Sequence, residues 1–273
     1  MPRTRLIGLI LVTTLLSLGC SRVVTGPSFK SQVPQGGTFF GEVYSPMSVT
    51  NTGVLKVSTG EDQGYFLVTA LDGQLFTYDL KTGKRLDKKP LARLPKGVRS
   101  APYFDTTNKH LIVGCYDQMV HALDINTGAV HWRAPVGGYV QASPVLSDGV
   151  VVIGTTNGKV YGIAPIDGSI KWQVDVDGAV FGAAGVNPEW PNRALVGTSE
   201  GTGFLIDTQN GKSIGDFKAG SPLHAAPAIV AINNEVVAYC STMDGGLIAY
   251  NLPASGMSGV GSQRWTGIIG TAP

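Results

Sequence analysis

Beyond about residue 38 the chain alternates short apolar runs with breaks rich in Gly, Asp, Asn and Ser, and no stretch carries helical periodicity. The pattern is clearest between Val140 and Val174. Val140 to Leu146 reads as an inner strand, and Ser147-Asp148-Gly149 turns the chain. Val150 to Gly154 then sets four β-branched residues in succession, which suits a strand buried on both faces. Asn157-Gly158 supplies positive φ for a second turn, and Lys159 to Ile163 alternates as a third strand. Asp167-Gly168 leads into a fourth, Ile170 to Val174. The unit is four antiparallel strands.

The unit recurs. Turn signatures end at Gly83, Gly128, Gly168, Gly211 and Gly256, spaced 45, 40, 43 and 45 residues apart. Short strands at that period predict an all-β protein, a β-propeller of four-stranded antiparallel blades with five recognisable repeats. It is either part of a larger ring or a small closed one. Asp79, Asp124 and Asp207 supply side-chain acceptors for turn amides, and Gly83, Gly128, Gly168 and Gly211 take the left-handed position, so these residues are structural. Trp132 and Trp172 each follow the turn glycine by four residues, where a flat side chain fills the space between blades. Asp87 and Gly215 stand at that position in the first and fourth copies, and Trp265 is displaced by an insertion, which predicts weaker first and fourth wedges.

The Gly-x-Val/Leu-Tyr/Phe strand, the Asp-x-x-Thr-Gly turn and the following Trp together resemble the repeat of pyrroloquinoline-quinone (PQQ)-like β-propellers over nearly everything after residue 38. Joined to the N-terminal features below, they resemble the BamB-type lipoproteins of outer-membrane β-barrel assembly. That resemblance implies eight blades, against five complete turn signatures here. Gly270-Thr271-Ala272-Pro273 matches the opening of another repeat, as in Arg99-Ser100-Ala101-Pro102 and His224-Ala225-Ala226-Pro227. Three arrangements fit: a truncated chain, a five-bladed ring closed by the segment around Phe29 to Val33, or an open arc completed by another chain.

Arg3 and Arg5 precede an apolar run from Leu6 to Leu18 that is too short to span a bilayer and stops at Gly19-Cys20. Leu16-Ser17-Leu18-Gly19-Cys20 resembles a bacterial lipobox, although Ser17 stands where leucine is usual and Leu18 where a smaller residue is commoner. The other reading is an ordinary cleaved signal with an incidental cysteine. The expected organisation is a signal peptide over residues 1–19, a Ser-, Pro- and Gly-rich tether over 20–37 with Cys20 lipidated, and propeller repeats over 38–273. Without Arg3 and Arg5 the chain has 19 basic and 19 acidic side chains. No net field or basic stripe recruits nucleic acid. Cys115 and Cys240 lie in apolar strands, and buried unpaired thiols are favoured over a disulfide.

Chemical motifs reduce to turns. The quinone-dependent dehydrogenases that share this repeat use acidic and amide ligands for a calcium or lanthanide ion and a vicinal cysteine pair, and this chain has no adjacent cysteines. Gly197-Thr198-Ser199-Glu200-Gly201 matches a nucleophile elbow, yet Gly154-Thr155-Thr156-Asn157-Gly158 occupies the same place one repeat earlier as a hairpin turn. Asp175-Val176-Asp177-Gly178 lacks the remaining ligands of a calcium loop. His110, His121, His131 and His224 show no metal-ligand spacing. The expectation is no catalytic residue, no metal and no cofactor.

Function is then sought where repeats differ although the scaffold demands nothing. Aligning the Ala/Ser-Pro motif places Arg99, Gln141, Phe181 and His224, with Gly270, in one column at the start of the inner strands. The fold resemblance implies that such positions line one mouth of the central channel. Solvated rim residues without a partner are the alternative. The loop Asn187-Pro188-Glu189-Trp190-Pro191-Asn192-Arg193 replaces a three-residue turn, and Trp190 is expected to be an exposed anchor for a partner or to fold back onto its own blade. The leading expectation is a non-enzymatic envelope scaffold, held to a membrane by lipid, whose partners are envelope proteins including the outer-membrane assembly machinery. The competing one is an exported small-molecule-binding or quinoprotein-related propeller.

Overall fold

A computed structural model describes residues 48–50, 65–79, 82–86, 88–105, 107–232, 235–253 and 261–268. The expected signal peptide, Cys20, the tether and Gly270 lie outside the described residues. Among those described there is no helix, and 19 strands form five antiparallel sheets. The first blade holds β1 (Ser48–Thr50), β2 (Tyr65–Thr69), β3 (Gln74–Asp79) and β4 (Ala92–Arg93). The second holds β5 (Tyr103–Asp105), β6 (His110–Gly114), β7 (Met119–Asp124) and β8 (Val130–Pro135). The third runs through β9 (Val145–Ser147), β10 (Val150–Gly154), β11 (Lys159–Ile163) and β12 (Ile170–Asp175). Next come β13 (Arg193–Gly197), β14 (Thr202–Asp207) and β15 (Ser213–Lys218), and the fifth blade is β16 (Ala228–Ile232), β17 (Glu235–Ser241), β18 (Gly246–Leu252) and β19 (Gln263–Ile268). In every sheet, neighbours in space are neighbours in sequence, which is the meander of a propeller blade. In the fourth blade the inner strand is reduced to one bridge, Gly185 with Leu195.

Every residue of β6, β10 and β13 is buried, as suits strands covered on both faces; β10 is apolar throughout, whereas β6 and β13 open on the polar His110 and Arg193. The inner strand of the third blade is shorter than the apolar pattern suggests, covering Val145–Ser147 and not residues 140–146. Pro144 has no amide to give a ladder, and the backbone before it bonds between blades. The Val140 amide donates to the Cys115 carbonyl at 3.2 Å, while the Tyr139 carbonyl accepts from the Thr156 amide at 3.0 Å. The same clamp recurs: Val98, Val180 and Leu223 donate to Ala70, Thr155 and Thr198, and Gly97, Ala179 and Pro222 accept from Tyr116, Ser199 and Met243. Each crossover is therefore stitched to two successive hairpins.

The turns are built by side-chain capping. Asp79 Oδ1 accepts from the Thr82 amide at 2.6 Å, and Asp124 Oδ1 from the Asn126 and Thr127 amides at 2.9 and 2.8 Å. Asp207 Oδ1 accepts from the Gln209 amide at 2.8 Å. Gly83, Gly128, Gly168 and Gly211 have φ between 64° and 75°, where a side chain is strained.

Trp132 and Trp172 wedge successive blades apart. A Cβ on Gly168 would lie 2.5 Å from the Trp132 ring, and one on Gly211 would lie 2.7 Å from the Trp172 ring. Trp132 Nε1 donates to the Pro165 carbonyl at 3.0 Å, and Trp172 Nε1 to the Thr208 carbonyl at 2.8 Å. These acceptors stand three residues before the turn glycine of the next blade.

The expectation of a weak fourth wedge is overturned, and with it the placing of Trp190 at the surface. Trp190 is fully buried, and its Nε1 donates to the Pro253 carbonyl at 3.0 Å, three residues before Gly256 in the sequence. The loop thus returns to the fourth blade the tryptophan that Gly215 omits. Arg193 donates to the same carbonyl at 3.1 Å and lies 5.7 Å from the Trp190 ring centroid. Phe217 completes the junction by stacking on Tyr250, with centroids 3.7 Å apart. Between the first and second blades, backbone takes the wedge's place: a Cβ on Gly128 would meet the Leu91 carbonyl. Trp265 pairs with Ala249 as Trp172 pairs with Gly162, but it stays 41 % exposed, and a Cβ on Gly83 would meet nothing within 4 Å.

Candidate functional site

Arg99, Gln141, Phe181 and His224 each sit one residue past a crossover clamp, and all four are half-buried. Since the clamps fix the crossovers against rigid hairpins, members on neighbouring blades converge. The Phe181 and His224 rings meet edge to face at 4.6 Å between centroids. Arg99 and Gln141 both act on Tyr116. Burial raises the Tyr116 phenol above its ordinary pKa, opposed by the Arg99 cation and the Gln141 hydrogen bond. Burial alone depresses the His224 imidazole, keeping it neutral at pH 7, so the Phe181–His224 end is uncharged and the Arg99 end cationic.

Three contributors escaped the sequence reading. Tyr116 packs against Tyr139 at 5.5 Å, and Met243 follows Pro222 through a backbone bond of 3.0 Å. Tyr139 and Met243 are among the exposed large apolar side chains. For Tyr116 and Met243 the signal was available in the hairpin position they share with Leu71, Thr156 and Ser199, which varies as freely as the chosen column. Tyr116 and Tyr139, with Lys96, Asp117 and Gln118, line a recess of about 530 Å³.

Ser199 of the elbow-like sequence accepts from the Ala179 amide at 3.0 Å, a crossover contact. Asp177, of the calcium-like sequence, accepts from Thr198 Oγ1 at 2.8 Å, from Lys218 Nζ at 2.8 Å and from Thr202 Oγ1. Its burial raises the carboxyl, yet these hydrogen bonds outweigh it and leave the pKa below the ordinary value. Cys115 and Cys240 are free and buried, and desolvation pushes their thiols up to about 11 and about 12. Among the described residues the structure assembles one group of ligand atoms that residue spacing missed: those of Cys115, Asp117 and His121 lie within 4.8 Å of one another.

A family model described as outer membrane protein assembly factor BamB matches residues 42–179 and 72–266. The outer membrane protein assembly factor BamB of Yersinia pestis is 32 % identical over 146 residues, covering 52 % of this chain and 35 % of the relative. That of Moranella endobia (strain PCIT) is 29 % identical over 174 residues, 61 % of this chain and 41 % of the relative. The chain therefore spans well under half the length of these relatives. Among solved structures, BamB from Moraxella catarrhalis matches with a TM-score of 0.56 at 18 % identity, over 74 % of this chain and 60 % of that one. The computationally designed Ika8 protein matches with 0.56 at 16 % identity, over 78 % and 64 %. Both show the fold.

Proposed function

Because the chain belongs to the outer membrane protein assembly factor BamB family, we propose that it is a non-enzymatic envelope scaffold that takes part in outer-membrane protein assembly. It acts by positioning: the propeller presents one mouth to a partner among the envelope proteins, the β-barrel assembly machinery first, and Cys20 carries a lipid anchor on the periplasmic face of the outer membrane. Two acyl chains or more hold such a domain stably where one gives only marginal binding. The observation that carries this reading is the convergence of Arg99 and Gln141 on Tyr116 and of Phe181 on His224. Half-buried aromatic and Arg side chains, held by a rigid frame, are the composition of an interface anchor. No such diversity is needed by the blades, whose packing lies in the wedges.

The test is a triple variant, Arg99→Ala, Phe181→Ala and His224→Ala, expressed in the native host. Folding is retained because the wedges and clamps are untouched, and co-purification with the assembly machinery is lost. Unchanged recovery of the machinery refutes the assignment. A second reading, an exported propeller that binds a small molecule, rests on the recess beside Tyr116. A chromophore or organic ligand co-purifying with the native protein decides for it.

A further inference from the structure

We propose that the hairpin between β6 and β7 is a divalent-metal site, in which Cys115, Asp117 and His121 hold a borderline-soft ion of the zinc class. The blades themselves supply the comparison. Relative to the left-handed residue of this hairpin, Cys115 occupies the position of Ala70, Thr155, Thr198 and Thr242, and His121 that of Phe76, Tyr161, Phe204 and Ile248. The left-handed residue is glycine in four blades and Gln118, with φ 68°, in this one. Departures from the repeat thus gather at one hairpin, and two of them introduce metal-binding atoms. Backbone strain of this kind persists where the surroundings over-determine it.

Geometry supports the same assignment. The three ligand atoms lie within 4.8 Å of one another, and Asp117 Oδ2 stands 2.8 Å from His121 Nε2. Zinc bonds of about 2.0–2.3 Å put tetrahedral ligand atoms roughly 3.3–3.8 Å apart, within reach of small rotamer changes. The carboxylate divides its work: Oδ1 accepts from the Met119 amide at 3.2 Å, and Oδ2, which faces His121 Nε2 at 2.8 Å, is the oxygen that an ion entering between the two side chains would take. Hairpin packing alone does not account for the imidazole. Tyr161, at the same place in the third blade, spends its hydroxyl on the Val136 carbonyl at 2.6 Å, whereas the fully buried His121 keeps Nδ1 without a partner. Asp117 also borders the 530 Å³ recess, which sets one edge of the cluster beside open space. On binding, the Cys115 S–H bond breaks, its proton leaves to solvent, and the thiolate pair forms the bond to the metal.

Co²⁺ is the probe, titrated into the full chain and followed by absorbance. One equivalent is expected to give the visible bands of a tetrahedral site and a thiolate-to-metal charge-transfer band, both erased by Zn²⁺. Cys115→Thr and His121→Phe install residues that other blades carry, so circular dichroism stays native while the affinity falls by about 100-fold or more. Cys20→Ala and Cys240→Ala leave the band intact. Absence of a charge-transfer band in the unaltered protein overturns the proposal. So does a band that survives Cys115→Thr, or one that disappears with Cys20 or Cys240.

Discussion

Replacing Trp190 with alanine removes a fully buried indole from the junction of the fourth and fifth blades. A side chain of this size buries about 150–250 Å², and at about 25 cal/mol per Å² its transfer is worth at most about 4–6 kcal/mol. Large-to-small substitutions in packed cores cost about 3–5 kcal/mol, and that is the expected loss here. No further penalty arises at the acceptor, because the Pro253 carbonyl keeps the Arg193 donor at 3.1 Å. Trp190→Phe retains most of the bulk and forfeits the indole hydrogen bond, for an expected loss of about 1–2 kcal/mol. Urea unfolding followed by circular dichroism measures both, with Glu189→Ala as an exposed control in the same loop. Amide exchange should rise first in β13 to β18, whose apolar side chains form the core cluster with Trp190. A loss below about 0.5 kcal/mol for Trp190→Ala, the range of ordinary surface changes, would refute the wedge assignment.

Further outcomes follow from the same geometry. Gly211→Ala drives a Cβ to 2.7 Å from the Trp172 ring at a φ of 73°, and should cost at least about 2 kcal/mol, whereas Gly149→Ala, with φ 80° and nothing within 4 Å, costs about 1 kcal/mol by thermal unfolding. Asp177 has a folded pKa below its unfolded value, so its contribution is complete above the unfolded pKa near 4 and is lost as pH falls through the folded one; the urea midpoint should drop more steeply in acid for the unaltered protein than for Asp177→Asn. Cys20→Ala is expected to release the protein from membranes on fractionation while leaving it folded, and retention in the membrane pellet refutes lipidation there.

The architecture was legible because turn chemistry is local. Asp124 caps the two amides that follow it, and Gly128 takes a left-handed φ whatever packs above them. The Trp132 and Trp172 wedges were legible for the same reason, since they keep a fixed distance from the turn. Trp190 was not, because its partner Pro253 lies 63 residues away and nothing local tells a stiff loop that faces solvent from one that folds inward. The inner strands were overdrawn because apolar residues there serve crossovers that bond between blades. In the candidate site, the Ala/Ser-Pro register isolated Arg99, Gln141, Phe181 and His224. It missed Tyr116, Tyr139 and Met243, which reach that face from separate hairpins and crossovers.

A photoactivatable residue placed at position 181 tests most directly whether the face carrying Phe181 and His224 is the surface proposed to meet the assembly machinery. Phe181 is half-buried in contact with His224, while Ile166, 67 % exposed in an outer turn, serves as the control position. Irradiation of living cells should crosslink position 181 to a component of the β-barrel assembly machinery and leave position 166 without that product. Equal yield of the same crosslink from both positions, or none from position 181 while 166 gives it, would contradict the account.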